Sequence, residues 1–243
     1  MSGESLMKIL ALEFSSAQRS VAVLSSPEKG GDTPDALEPA RPQAGPCPSD
    51  SVVEVIETGV GGTRGLALVA DALREANLEA GQIECLAIGL GPGSYTGIRA
   101  AIALAQGWQL ARGVKLIGIG SAECLAWQAW TGGLTGRVTV VIDAQRDEFY
   151  LSSCELGADG CREAGPLRLA SLAEARECER AGEILIGPEA TRWFPDGRIL
   201  FPAAATLAKL AANRNSFVSG EKLEPIYLRE ANFVKAPPPR RLA

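Results

Sequence analysis

Between a β-type run, Cys85 to Leu90, and a helical pattern that starts near Gly97 stands Gly91-Pro-Gly-Ser-Tyr-Thr-Gly97. Glycine tolerates φ > 0 and close backbone approach, and Pro92 fixes one dihedral, so the segment has to fold as a tight strand–turn–helix corner. Gly91, Pro92, Gly93, Ser94, Thr96, Gly97 and Arg99 form this structural turn, with Thr96 placed to cap the helix. Arg99 either bonds the carbonyls of the turn or reaches a partner carboxylate, and anchoring is the preferred reading. Such a corner gathers free N–H groups at a helix start, where an anion or another stretch of backbone docks. It lacks the Lys-Ser/Thr end of a P-loop, and its glycines do not follow the dinucleotide spacing.

Around this corner the pattern predicts a hairpin from Lys8–Leu12 and Ser20–Leu24, then a third strand over Ser51–Glu57. Residues 25–49 hold six prolines and few large apolar side chains, and read as an exposed insertion. A helix follows over Thr63–Asn77, then the Cys85–Leu90 strand, a helix over Gly97–Arg112, a strand at Lys115–Gly118 and a helix at Ser121–Trp130 capped by Ser121. After Gly132-Gly133 the order restarts: a hairpin of Val138–Asp143 and Glu148–Ser153, a strand at Leu167–Leu169, helix Leu172–Arg180, strand Glu183–Ile186 and helix Ala203–Ala212. The tail over 236–243 reads as loose. Two lobes are therefore predicted, at 1–132 and 133–243, each built on a βββαβα-type unit and the second reduced. That is the plan of the two-lobed actin-like and sugar-kinase (ASKHA) α/β ATPases.

The residues exclude much chemistry. Histidine is absent from all 243 residues, which removes Ser-His-Asp and Cys-His nucleophiles, imidazole bases and His-based zinc sites. The six cysteines form no CxxC pair, several lie in apolar runs, and they read as buried thiols in a reducing compartment rather than a metal site. A net charge of −5 supplies no general attraction to nucleic acid or anionic lipid. No apolar run is long enough for a membrane span, and the polar start Met1 to Met7 does not read as a secretory leader, so a cytoplasmic location is expected. The two hairpin turns, Glu13-Phe-Ser-Ser16 and Asp143-Ala-Gln-Arg146, contain no glycine to bring backbone N–H groups onto a phosphate. Asp143 is better suited to capping its turn or pairing with Arg146. No catalytic residue, metal or cofactor is expected. The competing reading is a divergent actin-like ATPase or carbamoyl-transfer enzyme using Asp143 and Glu13.

The positive signal is apolar character on both sides of two helices. In the second, Ile98, Ala101, Ile102, Ala105 and Trp108 form one stripe, and Ala100, Ala103, Leu104, Gly107 and Ala111 form another. In the first, Leu66, Val69, Ala70 and Leu73 share a face, widened by Leu68 and Ala72. One stripe suffices to pack on a sheet; a second needs more protein, and small residues admit close helix–helix approach. The partner contact is assigned to Leu66, Val69, Ala70, Leu73, Ile98, Ala101, Ile102, Ala105 and Trp108. Tyr227 and Arg229, after Pro225, read as ties for the C-terminal segment, with RNA contact through Arg229 or Arg240–Arg241 left open.

Four segments in order, Ile9-Leu-Ala-Leu-Glu-Phe-Ser-Ser16, Gly91-Pro-Gly-Ser-Tyr-Thr-Gly-Ile-Arg99, Val141-Ile-Asp-Ala-Gln-Arg-Asp-Glu-Phe-Tyr150 and Pro225-Ile-Tyr-Leu-Arg229, resemble the bacterial TsaB (YeaZ) family. Its members are non-catalytic relatives of TsaD. The resemblance implies a role in making threonylcarbamoyladenosine at the tRNA adenosine 3′ of the anticodon. It also implies pairing with a TsaD-type transferase through the two helices above, and a TsaE-type ATPase reached through the complex. Homodimers are implied as well, with tRNA met only through the assembly. The first strand of family members usually ends in Asp-Thr-Ser, where this chain has Glu13-Phe14-Ser15, and a histidine common early in the first helix is missing.

Overall fold

The computed structural model describes residues 7–25, 51–59 and 64–229; nearly all of the insertion at 25–49 and the whole tail at 236–243 lie outside them. Strands β1 (Ile9–Glu13), β2 (Gln18–Ser25), β3 (Ser51–Thr58), β4 (Cys85–Gly89) and β5 (Lys115–Ile119) form a sheet in the order β3-β2-β1-β4-β5. β1 is antiparallel to β2 and parallel to β4. Strands β6 (Gly136–Asp143), β7 (Glu148–Gly157), β8 (Gly160–Ser171), β9 (Ile184–Gly187) and β10 (Arg198–Ile199) repeat that order as β8-β7-β6-β9-β10, with the same strand directions. This is the duplicated actin-like α/β architecture expected from the element order.

The run Ile9-Leu-Ala-Leu is apolar at every position because both faces of β1 are covered. Leu10 and Leu12 point to a core shared with helices α1 (Gly65–Glu75) and α2 (Tyr95–Arg112), beside Val21, Val23, Leu86 and Ile88. Ile9 and Ala11 point the other way, against Ala204, Leu207, Ala208 and Ala211 of α6 (Ala204–Ala212). Helix α3 (Ser121–Thr131) lodges between the sheets: Cys124 joins the α6 core, while Leu125, Ala126 and Ala129 pack on Val138, Val140 and Tyr150. Helices α4 (Leu172–Arg180) and α5 (Ala190–Trp193) cover the far face of the second sheet.

Several boundaries differ from expectation. α6 belongs by sequence to the second unit yet closes the first sheet, where the Ala204 N–H donates to the Ser20 hydroxyl at 2.8 Å. The segment after it stays there: the Val218 N–H bonds the Leu116 carbonyl and the Ile226 N–H the Leu90 carbonyl. The all-apolar second face of β1 and β4 needs more cover than Cys124 and Trp127 of α3 supply, and α6 completes it. α2 begins at Tyr95, two residues ahead of the predicted Gly97, and Ser94 rather than Thr96 is its N-cap. β8 is far longer than the Leu167–Leu169 predicted, since its residues 160–166 are polar and glycine-bearing yet pair along β7. The α3 cap is Gly120, not Ser121, whose hydroxyl is turned inward.

Candidate docking face and the closed glycine turn

The corner is built around the tip of the first hairpin. The Ser94 N–H donates to the Ser15 carbonyl at 2.6 Å and the Ser121 N–H to the Gly91 carbonyl at 2.7 Å. A Cβ at Gly93 would lie 2.1 Å from the Ser15 carbonyl oxygen, and one at Gly97 would lie 2.0 Å from that of Phe14. Of the two occupants such a corner admits, the structure holds backbone: the Phe14–Ser15 carbonyls sit on the helix start. Ser94 Oγ accepts from the Gly97 N–H, Gly91 and Pro92 are buried, and Thr96 is exposed. Arg99 does not bond turn carbonyls; it is exposed and its guanidinium lies 5.3 Å over the Tyr95 ring. Tyr95 in turn meets Tyr227 with ring centroids 6.0 Å apart.

Glu13, fully buried at the end of β1, accepts from the Ser15 N–H at 2.8 Å and from the Ser121 hydroxyl at 3.0 Å. Burial pushes its carboxyl above the usual range, and the hydrogen bonds from Ser15 and Ser121 pull only part of the way back. Its side chain fills the space over Gly89, where a Cβ would come within 2.2 Å of a carboxylate oxygen. This carboxylate bridges the hairpin tip and the start of α3. Asp143, at the matching place in the second unit, accepts from the Gln145 N–H at 2.6 Å and so caps its turn. Gln145, Arg146 and Asp147 in that turn all have positive φ. Beside it the Glu189 carboxyl is pushed up by burial and by the nearby Asp143 charge. Arg229 reaches the same turn, donating to the Ala144 carbonyl at 2.9 Å and pairing with Glu148. That contact ties the C-terminal segment, as the sequence suggested.

The predicted partner residues divide. Ile98, Ala101, Ile102 and Ala105 are core residues of this chain, packed on the first sheet with Val69, Leu73, Leu68 and Ala72; Trp108 is partly buried against them. Of the assigned set, only Leu66 and Ala70 face outward. The outer face of α2 is instead its other stripe: Ala103 and Gly107 are exposed, Ala100 and Leu104 half-buried, and Leu110 is 91% exposed. Arg64, just before α1, and Gly65, Leu66 and Ala67 within it line, with Ala100, Ala103 and Leu104 of α2, a shallow apolar groove of about 470 Å³. Sequence reasoning saw both stripes and chose the wrong one for the outside. The usable signal was size, since Ile98 and Ile102 fill space under a helix whereas Ala103 and Gly107 leave it bare. Ala67 and Leu110, on the outer face, were missed.

Gly107 adds a second mark. It sits mid-helix, where glycine costs about 1 kcal/mol against alanine, and a Cβ there would meet nothing within 4 Å. Nothing among the described residues requires glycine at this position.

Two sheets of the same strand order and directions define an actin-like α/β protein. The family model "TsaD: tRNA N6-adenosine threonylcarbamoyltransferase" matches residues 64–235. The tRNA threonylcarbamoyladenosine biosynthesis protein TsaB of Escherichia coli is 30% identical over 68% of this chain and 78% of its own. The Haemophilus influenzae TsaB is 33% identical over 36% of this chain and 37% of its own. YeaZ from Pseudomonas aeruginosa superposes with a TM-score of 0.68 at 26% identity, covering 91% of this chain and all of that one. The chain belongs to the TsaB (YeaZ) family, and its role lies in tRNA threonylcarbamoyladenosine biosynthesis.

Proposed function

We propose that this chain is a non-catalytic subunit that pairs with a TsaD-type transferase through the outer face of α1 and α2, and so supports modification of the tRNA adenosine 3′ of the anticodon. The apolar groove lined by Leu66, Ala67, Ala100, Ala103 and Leu104 carries this reading, because Leu66 stands 70% exposed in it and packed protein is what such surface seeks. Gly107 in the same stripe leaves room for a partner's backbone to come close. A TsaE-type ATPase and tRNA are reached through the complex, in the cytoplasm, and a second copy of this chain competes for the same face.

The non-catalytic role is supported by the chemistry on offer. The chain has no histidine. The buried Glu13 carboxylate is engaged by Ser15 and Ser121, and Asp143 caps its own turn. Co-expression of the full chain with a TsaD-type protein tests the reading. The native pair should co-purify, and Ala103→Glu should abolish both co-purification and cellular threonylcarbamoyladenosine while the variant stays folded. Undiminished pairing by that variant, or ATP turnover by the isolated chain that is lost on Asp143→Ala, would falsify the proposal.

A further inference from the structure

Two cysteines that sequence spacing leaves apart come together in the fold. The β7–β8 register sets Leu156 opposite Cys161 and Cys154 opposite Glu163. Cys154 and Cys161 are thus diagonal neighbours on one face of the ribbon, the face turned toward α3. Both line one cavity of about 290 Å³, together with Ser152, Glu163 and Leu167 of the ribbon and Glu123 of α3. Cys154 is buried and Cys161 only half-buried. The contact between the two thiols pushes Cys154 up, with burial adding to it, and lowers Cys161, while burial and Glu123 push Cys161 the other way.

We propose that Cys154 and Cys161 form a dithiol site for a small neutral hydroperoxide and close to a cross-strand disulfide. The Cys161 thiolate attacks the peroxide, an S–O bond forms and the O–O bond breaks. Sulfur is oxidised to sulfenic acid, and with hydrogen peroxide the other oxygen leaves as water once protonated. Cys154 sulfur then attacks the sulfenic sulfur; the S–S bond forms, the S–O bond breaks, and hydroxide departs with the Cys154 proton as a second water. Two thiols lose two hydrogens and one peroxide is reduced.

The surroundings select this oxidant. Glu163 and Glu123 line the cavity, the latter paired with Arg214; both raise Cys154, Glu123 also opposes the lowering of Cys161, and a negatively charged reagent meets the same repulsion. An anionic disulfide such as oxidised glutathione is therefore disfavoured relative to an uncharged peroxide. No group of three or more ligating side chains that could hold a metal exists among the described residues, so the thiols do not belong to a metal cage. The other described cysteines are placed differently. Cys85 and Cys124 are buried, with burial pushing both thiols up, and Cys178 is raised by burial and by Glu183.

The full chain, reduced and then exposed to graded hydrogen peroxide, should lose two alkylatable thiols together. Peptide mapping should find Cys154 joined to Cys161, and dithiothreitol should restore both. In Cys154→Ser, dimedone should label Cys161; in Cys161→Ser, bridging should vanish and Cys154 should stay unlabelled. The wild-type map decides the matter if either variant fails to fold. A bridge to any other cysteine, including Cys47, overturns the proposal. So does earlier loss of Cys178, persistence of both thiols at peroxide that oxidises Cys178, or dimedone on Cys154.

Discussion

The first and second units share strand order and strand direction but not their clothing. α1 and α2 span 11 and 18 residues, while their counterparts α4 and α5 span 9 and 4. α1 reads GLALVADALRE and leaves Leu66, Ala67 and Ala70 outside; α4 reads LAEARECER and leaves Glu174, Arg176, Glu177 and Arg180 outside. Topology was therefore duplicated without the second apolar face. The exposed apolar face on which the proposed docking rests belongs, among the described residues, to the first unit. A charge placed there breaks the comparison most sharply. Ala67→Glu should weaken pairing with a TsaD-type protein by about 3–5 kcal/mol, the cost of an unpaired charge buried at a contact. Ala173→Glu, on the exposed side of α4, should leave pairing unchanged in the same titration calorimetry.

The corners at the ends of β4 and β9 sharpen the comparison next. A Cβ at Gly97 would lie 2.0 Å from the Phe14 carbonyl oxygen, and a Cβ at Gly187 1.9 Å from that of Val141. Each alanine should destabilise the chain by about 3 kcal/mol in urea unfolding, the upper part of the usual overpacking range. Only Gly97→Ala should also reduce pairing, because only its corner sets the start of α2. Gly157→Ala, with nothing within 4 Å, is the control.

Carboxylates in the two units should answer pH with opposite sign. Glu13 is raised by burial, so the folded chain binds its proton more tightly than the unfolded chain does, and stability falls as pH rises above 4.5 until Glu13 is ionised. Glu174 at the start of α4 is lowered to about 2, chiefly by the Ser171 N–H and hydroxyl and then by Arg168. Its contribution is present above 4.5 and lost as pH falls from there toward about 2. Glu13→Gln keeps an acceptor for the Ser15 N–H and should flatten the upper slope of stability against pH. Glu174→Gln should flatten only the lower one, and by less, since the group is exposed.

Element order and the two hairpins were legible because β1 and β4 are buried on both faces and read as unbroken apolar runs bounded by turn residues, and β6 departs from that pattern in its buried stretch only at Thr139. The cap at Ser94 was not, since Ser94 and Thr96 both suit that role and only the Ser15 carbonyl, far away in sequence, sets the corner. The docking face was half legible. Periodicity identified two stripes on α2, but which of them meets the sheet depends on the direction in which the glycine corner launches the helix. The return of α6 to the first sheet was not legible at all, since its apolar pattern fits either unit and only the uncovered face of β1 and β4 decides.

Gly107 gives the smallest effect and separates two demands on one residue. An exposed mid-helix glycine weakens α2, so Gly107→Ala should raise stability by about 0.5–1 kcal/mol in thermal unfolding. No atom of the described residues obstructs the added methyl, so no strain offsets the gain. If the outer face meets another helix closely, the same methyl lands in that contact and pairing should weaken as stability rises. A gain in stability with no loss of pairing would show that the partner does not approach α2 at this turn, and would move the contact toward Leu66, Ala67 and Ala100. The second unit has no counterpart of this position, because the four residues of α5 end before reaching it. The opposite movement of the two measurements is thus a property of the first unit alone.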